Sequence, residues 1–372
     1  MTDQNYHEVA YIVYKLDKLY KTAEICQRNE RSSEFIGVVN IPEYIEIEGE
    51  TYKVTSIRDR AFENCIKLKT IVIPDSVVSI GKWAFGNCKN LTNVVLPHSL
   101  KIIDILCFYD CQSLTNISIP NSVISIENLA FSGCTKLEHV KNSESIEVIG
   151  KWAFRDCSSL TYINLPNTIT TINNGAFERC TSLKNIKIPE SVRYIGCSAF
   201  LWCKSITSIV ITKSVTCIET LCFARCSKLK NVFIPNSVKE IGSHAFANCT
   251  KLTNIELPNS IETIGDCTFD SCTNITSINI PESVTRIGRW AFKNCKNLET
   301  VVIPKSVTSI GYCSFQNCHK LTEITCNITE LSLFDIPSDL ISDRCTLYVP
   351  KNSKESYITK GWSVYFDPII EV

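Results

Sequence analysis

The residues of this 372-residue chain best equipped for chemistry are its 21 cysteines and five histidines. Thiols and imidazoles are the common ligands of zinc and common partners in nucleophilic catalysis, and paired thiols close disulfides. Spacing decides among these uses. Twelve cysteines, Cys65, Cys88, Cys111, Cys134, Cys157, Cys180, Cys203, Cys226, Cys249, Cys272, Cys295 and Cys318, recur every 23 residues. In a stacked array such residues lie side by side with parallel Cα–Cβ vectors, which is poor geometry for a bridge. A zinc site needs four convergent ligands, and His7, His98, His139, His244 and His319 do not cluster with the cysteines in repeat register. The expectation is therefore reduced, buried thiols acting as small apolar side chains. Cys107, Cys222, Cys267 and Cys313 are read as core substitutions at a small position just before the repeat cysteine. Free thiols in this number suit a reducing cytoplasm or an anaerobic exterior. No Ser/His/Asp order, HExxH, phosphate-cradling glycine loop or dinucleotide fingerprint occurs. The chain is expected not to be an enzyme and to carry no metal and no cofactor.

Composition narrows the partners. Lys+Arg and Asp+Glu both number 38, so no net charge draws the chain to nucleic acid or to an anionic membrane. No run approaches the ~20 apolar residues that cross a bilayer, so membrane insertion is not expected. The opening MTDQNYHEVAYIVYKL has no basic segment followed by an apolar one. The location expected is extracellular or cell-surface if a leader or anchor is missing from this chain, and cytoplasmic otherwise.

The elements that position the cysteines follow from the same repeat. Phenylalanine stands three residues before each cysteine, from Phe62 to Phe315, and isoleucine eight residues before, from Ile57 to Ile310. Leucine stands three residues after, replaced by isoleucine at Ile206 and Ile275. One unit, Leu68 to Cys88, reads LKTIVIPDSVVSIGKWAFGNC. Alternation around Ile71–Ile73 predicts a short strand, ended by Pro74, which has no N–H for a ladder. KWAFGNC would place Ala84, Phe85 and Cys88 on one face of a helical turn. Positions equivalent to Ala84 hold only small residues, among them Cys107, Cys222, Thr268 and Ser314, which indicates close backbone packing. Leu68, Ile71, Ile73, Val77, Ile80, Ala84, Phe85 and Cys88 are the predicted interior of the unit. Ser76, Ser99, Ser122, Ser145, Thr168, Ser191, Ser214, Ser237, Ser260, Ser283 and Ser306 share one turn position and read as a hydroxyl ladder serving backbone groups. A unit that buries one face must stack on its neighbours.

The pattern LxxIxIPxSVxxIGxxAFxxC resembles the BspA-like, treponemal-class leucine-rich repeats of anaerobic bacteria, over residues 54 to about 326. The flanks VYKLDKLYKTAEI…VVNIPEYIEIEGETYKVTSI and CTLYVPKNSKESYITKGW resemble that family's capping segments. The reading is an α/β solenoid: a right-handed leucine-rich-repeat stack with short parallel strands on its concave face and short helical turns on its convex face. Residues 1–53 would form a β-rich cap, 54–326 twelve 23-residue repeats, and 327–372 a second cap. The resemblance implies a surface-exposed or secreted protein that adheres to host glycoproteins or to other bacteria.

In the first cap, Val9–Tyr14 and Thr22–Gln27 read as a hairpin around Asp17–Lys21, followed by strands near Val38–Ile41 and Tyr52–Thr55. In the last, Cys345–Val349 reads as a strand, Ser353–Lys360 as a helix capped by Ser353, and Trp362 as an anchor. Two units deviate, with Asn142 and Ser143 replacing an apolar residue and proline, and Thr212 replacing proline. Either these are drift, or they mark a bend or contact site.

Outward strand positions form two rows. One runs Thr70, Asn93, Asn116, His139, Tyr162, Asn185, Ser208, Asn231, Asn254, Ser277, Thr300, Glu323. The next runs Val72, Val95, Ser118, Lys141, Asn164, Lys187, Val210, Phe233, Glu256, Asn279, Val302, Thr325. Tyr162 and Phe233 are the aromatic anchors of this polar sheet. With His139, Asn185, Lys187, Val210, Asn231 and Asn254 they form the candidate partner-binding set. The function expected is a non-enzymatic interaction module, adhesin-like, binding a protein or glycoprotein, host extracellular ones included, through this face. The alternative is a cytoplasmic scaffold using the same face on a bacterial partner.

Overall fold

A computed structural model describes residues 6–9, 12–26, 35–329 and 345–372. The chain forms two compact units, Met1–Ser191 and Val192–Val372. In the first, Gly37–Asn40, Leu68–Val72 and Asn93–Val95 pair in parallel, as do Asn116–Ser118, His139–Lys141 and Tyr162–Ile163. From Leu68–Val72 on, each of these residues meets the one 23 places on, so Asn116 lies opposite His139 and His139 opposite Tyr162. A second ladder of two-residue strands runs through Ile102–Ile103, Ser125–Ile126, Val148–Ile149 and Thr171–Ile172. The second unit repeats the plan. Ser208–Val210, Asn231–Phe233 and Asn254–Ile255 make one long-strand ladder, and Ser277–Asn279, Thr300–Ile303 and Glu323–Cys326 another. Its short ladder runs from Cys217–Ile218 to Ser309–Ile310.

All eight predicted interior positions of the Leu68–Cys88 unit are buried. Identical side chains in identical surroundings adopt identical rotamers, so the phenylalanines stack. Centroids are 5.2–5.6 Å apart from Phe62 to Phe177 in the first unit and 5.3–5.7 Å from Phe200 to Phe315 in the second. The cysteines are free thiols. Ten of the repeat cysteines donate to the phenylalanine carbonyl of the preceding repeat, as from Cys88 to Phe62 at 3.1 Å and Cys249 to Phe223 at 3.2 Å. Thiol hydrogen thus meets a carbonyl that would otherwise be under-satisfied in the core. The hydroxyl row behaves as its spacing suggests. Ser99 donates to the Val77 carbonyl, Ser122 to Leu100 and Ser260 to Val238, each at 2.6 Å. Ser76, first in the row, has a buried hydroxyl without a partner. In the deviant units Ser143 is fully buried and accepts the Ser145 N–H, while buried Thr212 donates to the Val192 carbonyl.

The helical turns are a correction. Residues 81–88 form a spiral of β-turns, with Ala84, Gly86 and Cys88 N–H groups bonded three residues back. The intervening N–H groups of Trp83, Phe85 and Asn87 donate instead to Ile105, Cys107 and Tyr109 in the next repeat. An α-helix needs every N–H bonded four residues back, whereas this segment shares half of its donors with its neighbour. Two left-handed residues per unit make the spiral possible: Trp83 and Asn87 (φ 58° and 59°), Trp290 and Asn294 (54° and 58°). Cys107 and Cys222 do occupy the small position, but Cys267 and Cys313 stand at the first left-handed position instead (φ 55° and 54°).

At the N-terminus, Ile12–Asp17 and Thr22–Cys26 form the expected hairpin, its turn held by Asp17 Oδ1 accepting the Leu19 and Tyr20 N–H groups. Tyr6–Val9 is a separate strand that pairs antiparallel with Ile12–Asp17, so the predicted Val9–Tyr14 strand starts late; Gln27 lies outside the described residues. Gly37–Asn40 occupies the place expected for a strand at Val38–Ile41. Tyr44–Ile47 and Glu50–Ile57 make an unanticipated second hairpin across left-handed Glu48 and Gly49. At the C-terminus Cys345–Val349 pairs with Glu323–Cys326 and with Phe366–Glu371. The helix spans Lys354–Thr359 with Ser353 at its N-cap position, but the Ser353 side chain makes no capping bond; its hydroxyl donates to the Pro350 carbonyl. Trp362 is fully buried against Tyr357 and Phe366.

Candidate interaction surface

Alternation along the long strands sends Ile71, Val94, Ile117, Val140 and Ile163 inward and leaves their neighbours on the surface. In the first unit the outward residues are Asn93, Asn116, His139 and Tyr162 beside Val95, Ser118 and Lys141. A groove of about 540 Å³ is lined by Asn93, Val95, His98, Asn116, His139 and Lys141. His98 donates its backbone N–H to Asp75 at 2.7 Å and its ring lies 3.1 Å from the same carboxylate. These contacts, the backbone one first, hold the Asp75 carboxyl below its usual range. Tyr162 is 55% exposed at the end of the ladder.

The second unit pairs two exposed apolar side chains on this face. Val210 lies opposite Phe233 in register, and the two are 59% and 61% exposed. They line a groove of about 540 Å³ with Ser208, Asn231, Asn236, Glu256 and Asn259. An exposed phenyl beside amide side chains offers stacking and hydrogen bonds together, the pairing that anchors peptides and sugars. Asn254 lies in the strand Asn254–Ile255, but its side chain is outside what is described. Asn185 and Lys187 are exposed as expected, yet residues 183–189 form no strand. Ile186 and Ile188 keep the alternation buried; alternation sets which side chains point inward, whereas a strand also requires ladder hydrogen bonds.

The thiols are poor nucleophiles. Wherever a cysteine pKa departs from its usual value it moves up, at Cys88 first through its contact with Cys65 and elsewhere chiefly through burial: Cys226 and Cys318 reach about 12. Half-exposed Cys217 reaches about 12 by burial and by the Glu219 charge, and Cys267 about 11. Cys197 donates to Glu219 Oε2 at 3.7 Å. Among the described residues no group of three or more His, Cys, Asp or Glu side chains is placed to hold a metal ion.

Two features escaped the sequence reading. The left-handed positions had a signal: Asn64, Asn87, Asp110, Gly133, Asp156, Asn248, Asn294 and Asn317, the residue types that tolerate positive φ. The exposed aliphatics Ile102 and Val148 on the short ladder, and Val78 and Ile124 one residue before their short strands, had none beyond their β-branching.

The model of the BspA-type leucine-rich repeat region matches residues 40–161, 102–230, 154–273 and 218–339, together most of the chain. The chain belongs to the BspA-type leucine-rich repeat family. It is similar to a solved leucine-rich repeat protein from Bacteroides ovatus, 28% identical over 93% of this chain and 100% of that one, with a TM-score of 0.68. It is also similar to a leucine-rich cell surface protein from Faecalibacterium prausnitzii, 31% identical over 86% of this chain and 94% of that one, TM-score 0.61. The pneumococcal vaccine antigen PcpA shares the fold at 19% identity over 99% of this chain and 98% of that one, TM-score 0.61. No curated protein matches the sequence. The BspA-type repeat builds a β-solenoid of stacked parallel strands, and leucine-rich repeats are protein-interaction modules. Among the described residues no helix is long and apolar enough to cross a membrane.

Proposed function

We propose that this BspA-type protein is a non-enzymatic adhesin-like module, secreted or held at the cell surface, that binds a protein or glycoprotein through the outward face of its long strands. The observation that carries the reading is the exposed Val210–Phe233 pair flanked by Asn231, Asn236 and Asn259. Buried aromatic anchors surrounded by polar groups supply most of the energy of typical interfaces. Tyr162 supplies a separate anchor in the first unit, and His139, Asn185, Lys187 and Asn254 add polar contacts. Residues 1–53 and 327–372 serve as caps over the twelve repeats of 54–326. The similar cell-surface protein supports the location, and the upward-shifted thiols support the absence of thiol catalysis.

The test is binding to a panel of immobilised extracellular glycoproteins by the full chain and by the Phe233→Asp/Tyr162→Asp variant. Loss of binding by at least tenfold with an unchanged unfolding curve is the expected result; undiminished binding would refute the strand-face site. A second reading, a cytoplasmic scaffold, is favoured by the 21 free thiols. Protease shaving of intact cells separates the two. Peptides released while cytoplasmic markers stay protected support the surface reading, and release only after lysis supports the scaffold.

A further inference from the structure

The short-strand ladder of the first unit carries a second surface. Val78, Ile102, Ile124 and Val148 are exposed by 56%, 43%, 42% and 40% and come one from each successive repeat. Ile102 and Val148 share one register row through Ser125; Ile124 lies in the adjoining row, with Val78 one place before Ser79. At ~4.8 Å per strand the four span about 14 Å.

The fold does not require them. Register-equivalent positions of the second unit hold chiefly Thr216, Lys239, Glu240, Glu262, Thr263, Thr285 and Arg286 on the same backbone plan, with Cys217 and the exposed Tyr194 beside them. A concavity of about 240 Å³ lies beside the stripe, lined by Val78, Ile80, Lys101, Ile102, Asp104 and Glu127. Asp104 and Glu127 are neighbours in the position that Gly81 and Gly150 hold in the flanking repeats. The edge therefore carries two carboxylates and Lys101 at its centre, with Lys82 and Lys151 at its ends.

We propose that this stripe is a docking surface for an amphipathic helix of a partner protein whose flank carries basic residues. Apolar side chains at i, i+3/i+4 and i+7 recur about every 5.4 Å along a helix, close to the ~4.8 Å step of the ladder. A helix laid across the strands keeps three such contacts over the length of the stripe. Its central lysine or arginine meets Asp104 and Glu127, and an acidic helix meets these carboxylates with like charge. The surface is distinct from the long-strand face and independent of what that face binds.

The probe is a synthetic 18-residue peptide with a leucine stripe at helical spacing and lysines on its flanks, compared with its leucine/glutamate counterpart by fluorescence anisotropy on the full chain. Expected is saturable 1:1 binding of the lysine peptide at least tenfold tighter than the glutamate peptide. Ile102→Thr/Ile124→Thr, which installs residues the fold already accepts at Thr171 and Thr216, is expected to weaken it about tenfold. Asp104→Asn/Glu127→Gln should weaken it at least threefold, and Phe233→Asp should leave it unchanged. Equal affinity of the two peptides, or a threonine variant within twofold of the parent, would overturn the proposal. So would loss of binding in Phe233→Asp, which places the peptide on the long-strand face. Self-association of the chain abolished by the threonine variant would assign the stripe to a second copy and also overturn it.

Discussion

The two units share an interior and differ on their surfaces. Phenylalanine stacking, thiol-to-carbonyl bonds and hydroxyl-to-carbonyl bonds recur in both with the same geometry. On the short ladder, however, the first unit exposes Val78, Ile102, Ile124 and Val148 where the second shows mainly threonine and charged residues beside Tyr194. On the long strands both units expose apolar side chains: Val38, Val95 and Tyr162 in the first, with His139 and Lys141 between the last two, and Val210, Phe233 and Val302 in the second, where Val210 and Phe233 lie in register. Stacking constrains only side chains that meet the next repeat. The outward positions are left open, and the two units fill them differently.

If the interiors are equivalent, alkali should undo both. Buried thiols are neutral in the folded chain and ionise near pH 9 once unfolded, so the unfolded state binds fewer protons above that pH. The stabilisation is complete below the unfolded pKa and is lost as pH rises through the folded values, which are about 12 for Cys226 and Cys318. Each such thiol removes up to about 1.4 kcal/mol per pH unit above 9. Urea unfolding at pH 8, 9, 10 and 11 should show a steep fall, and a flat profile would contradict the burial of the ladder.

Phe131→Ala in the first unit and Phe269→Ala in the second should each cost about 3–5 kcal/mol, with closely similar values, because both rings are fully buried in the stack. A difference above ~2 kcal/mol in urea unfolding would break the equivalence.

Smaller effects of opposite sign are expected at one repeat position. Gly175 is left-handed (φ 62°), and an added Cβ would collide with the Trp152 indole. Gly175→Ser should destabilise by about 1–3 kcal/mol. Ser198, its equivalent in the second unit, adopts φ 57° without being glycine. Ser198→Gly should stabilise by about 0.5–1 kcal/mol, relief of the left-handed strain outweighing the added freedom of the unfolded chain. Thermal unfolding of both variants reads the signs, and like signs would show that the position is not equivalent in the two units.

The 23-residue period by itself determined the strand register, the interior positions, the stacked thiols and the hydroxyl ladder. Each is a relation between a residue and its counterpart one turn away, so it survives in the spacing: Cys88 already implies a neighbour at Phe62. Tertiary structure alone decided the path of residues 81–88. Ala84, Phe85 and Cys88 are buried together whether the segment is helix or turn spiral, and only the left-handed φ of Trp83 and Asn87 and the bonds to Ile105, Cys107 and Tyr109 distinguish them. It also decided that Asn185 and Lys187 lie outside any strand and that Ser353 turns its hydroxyl to Pro350. Periodicity records which side chains are inside; the sign of φ and the choice of hydrogen-bond partner are settled by the backbone of the next repeat.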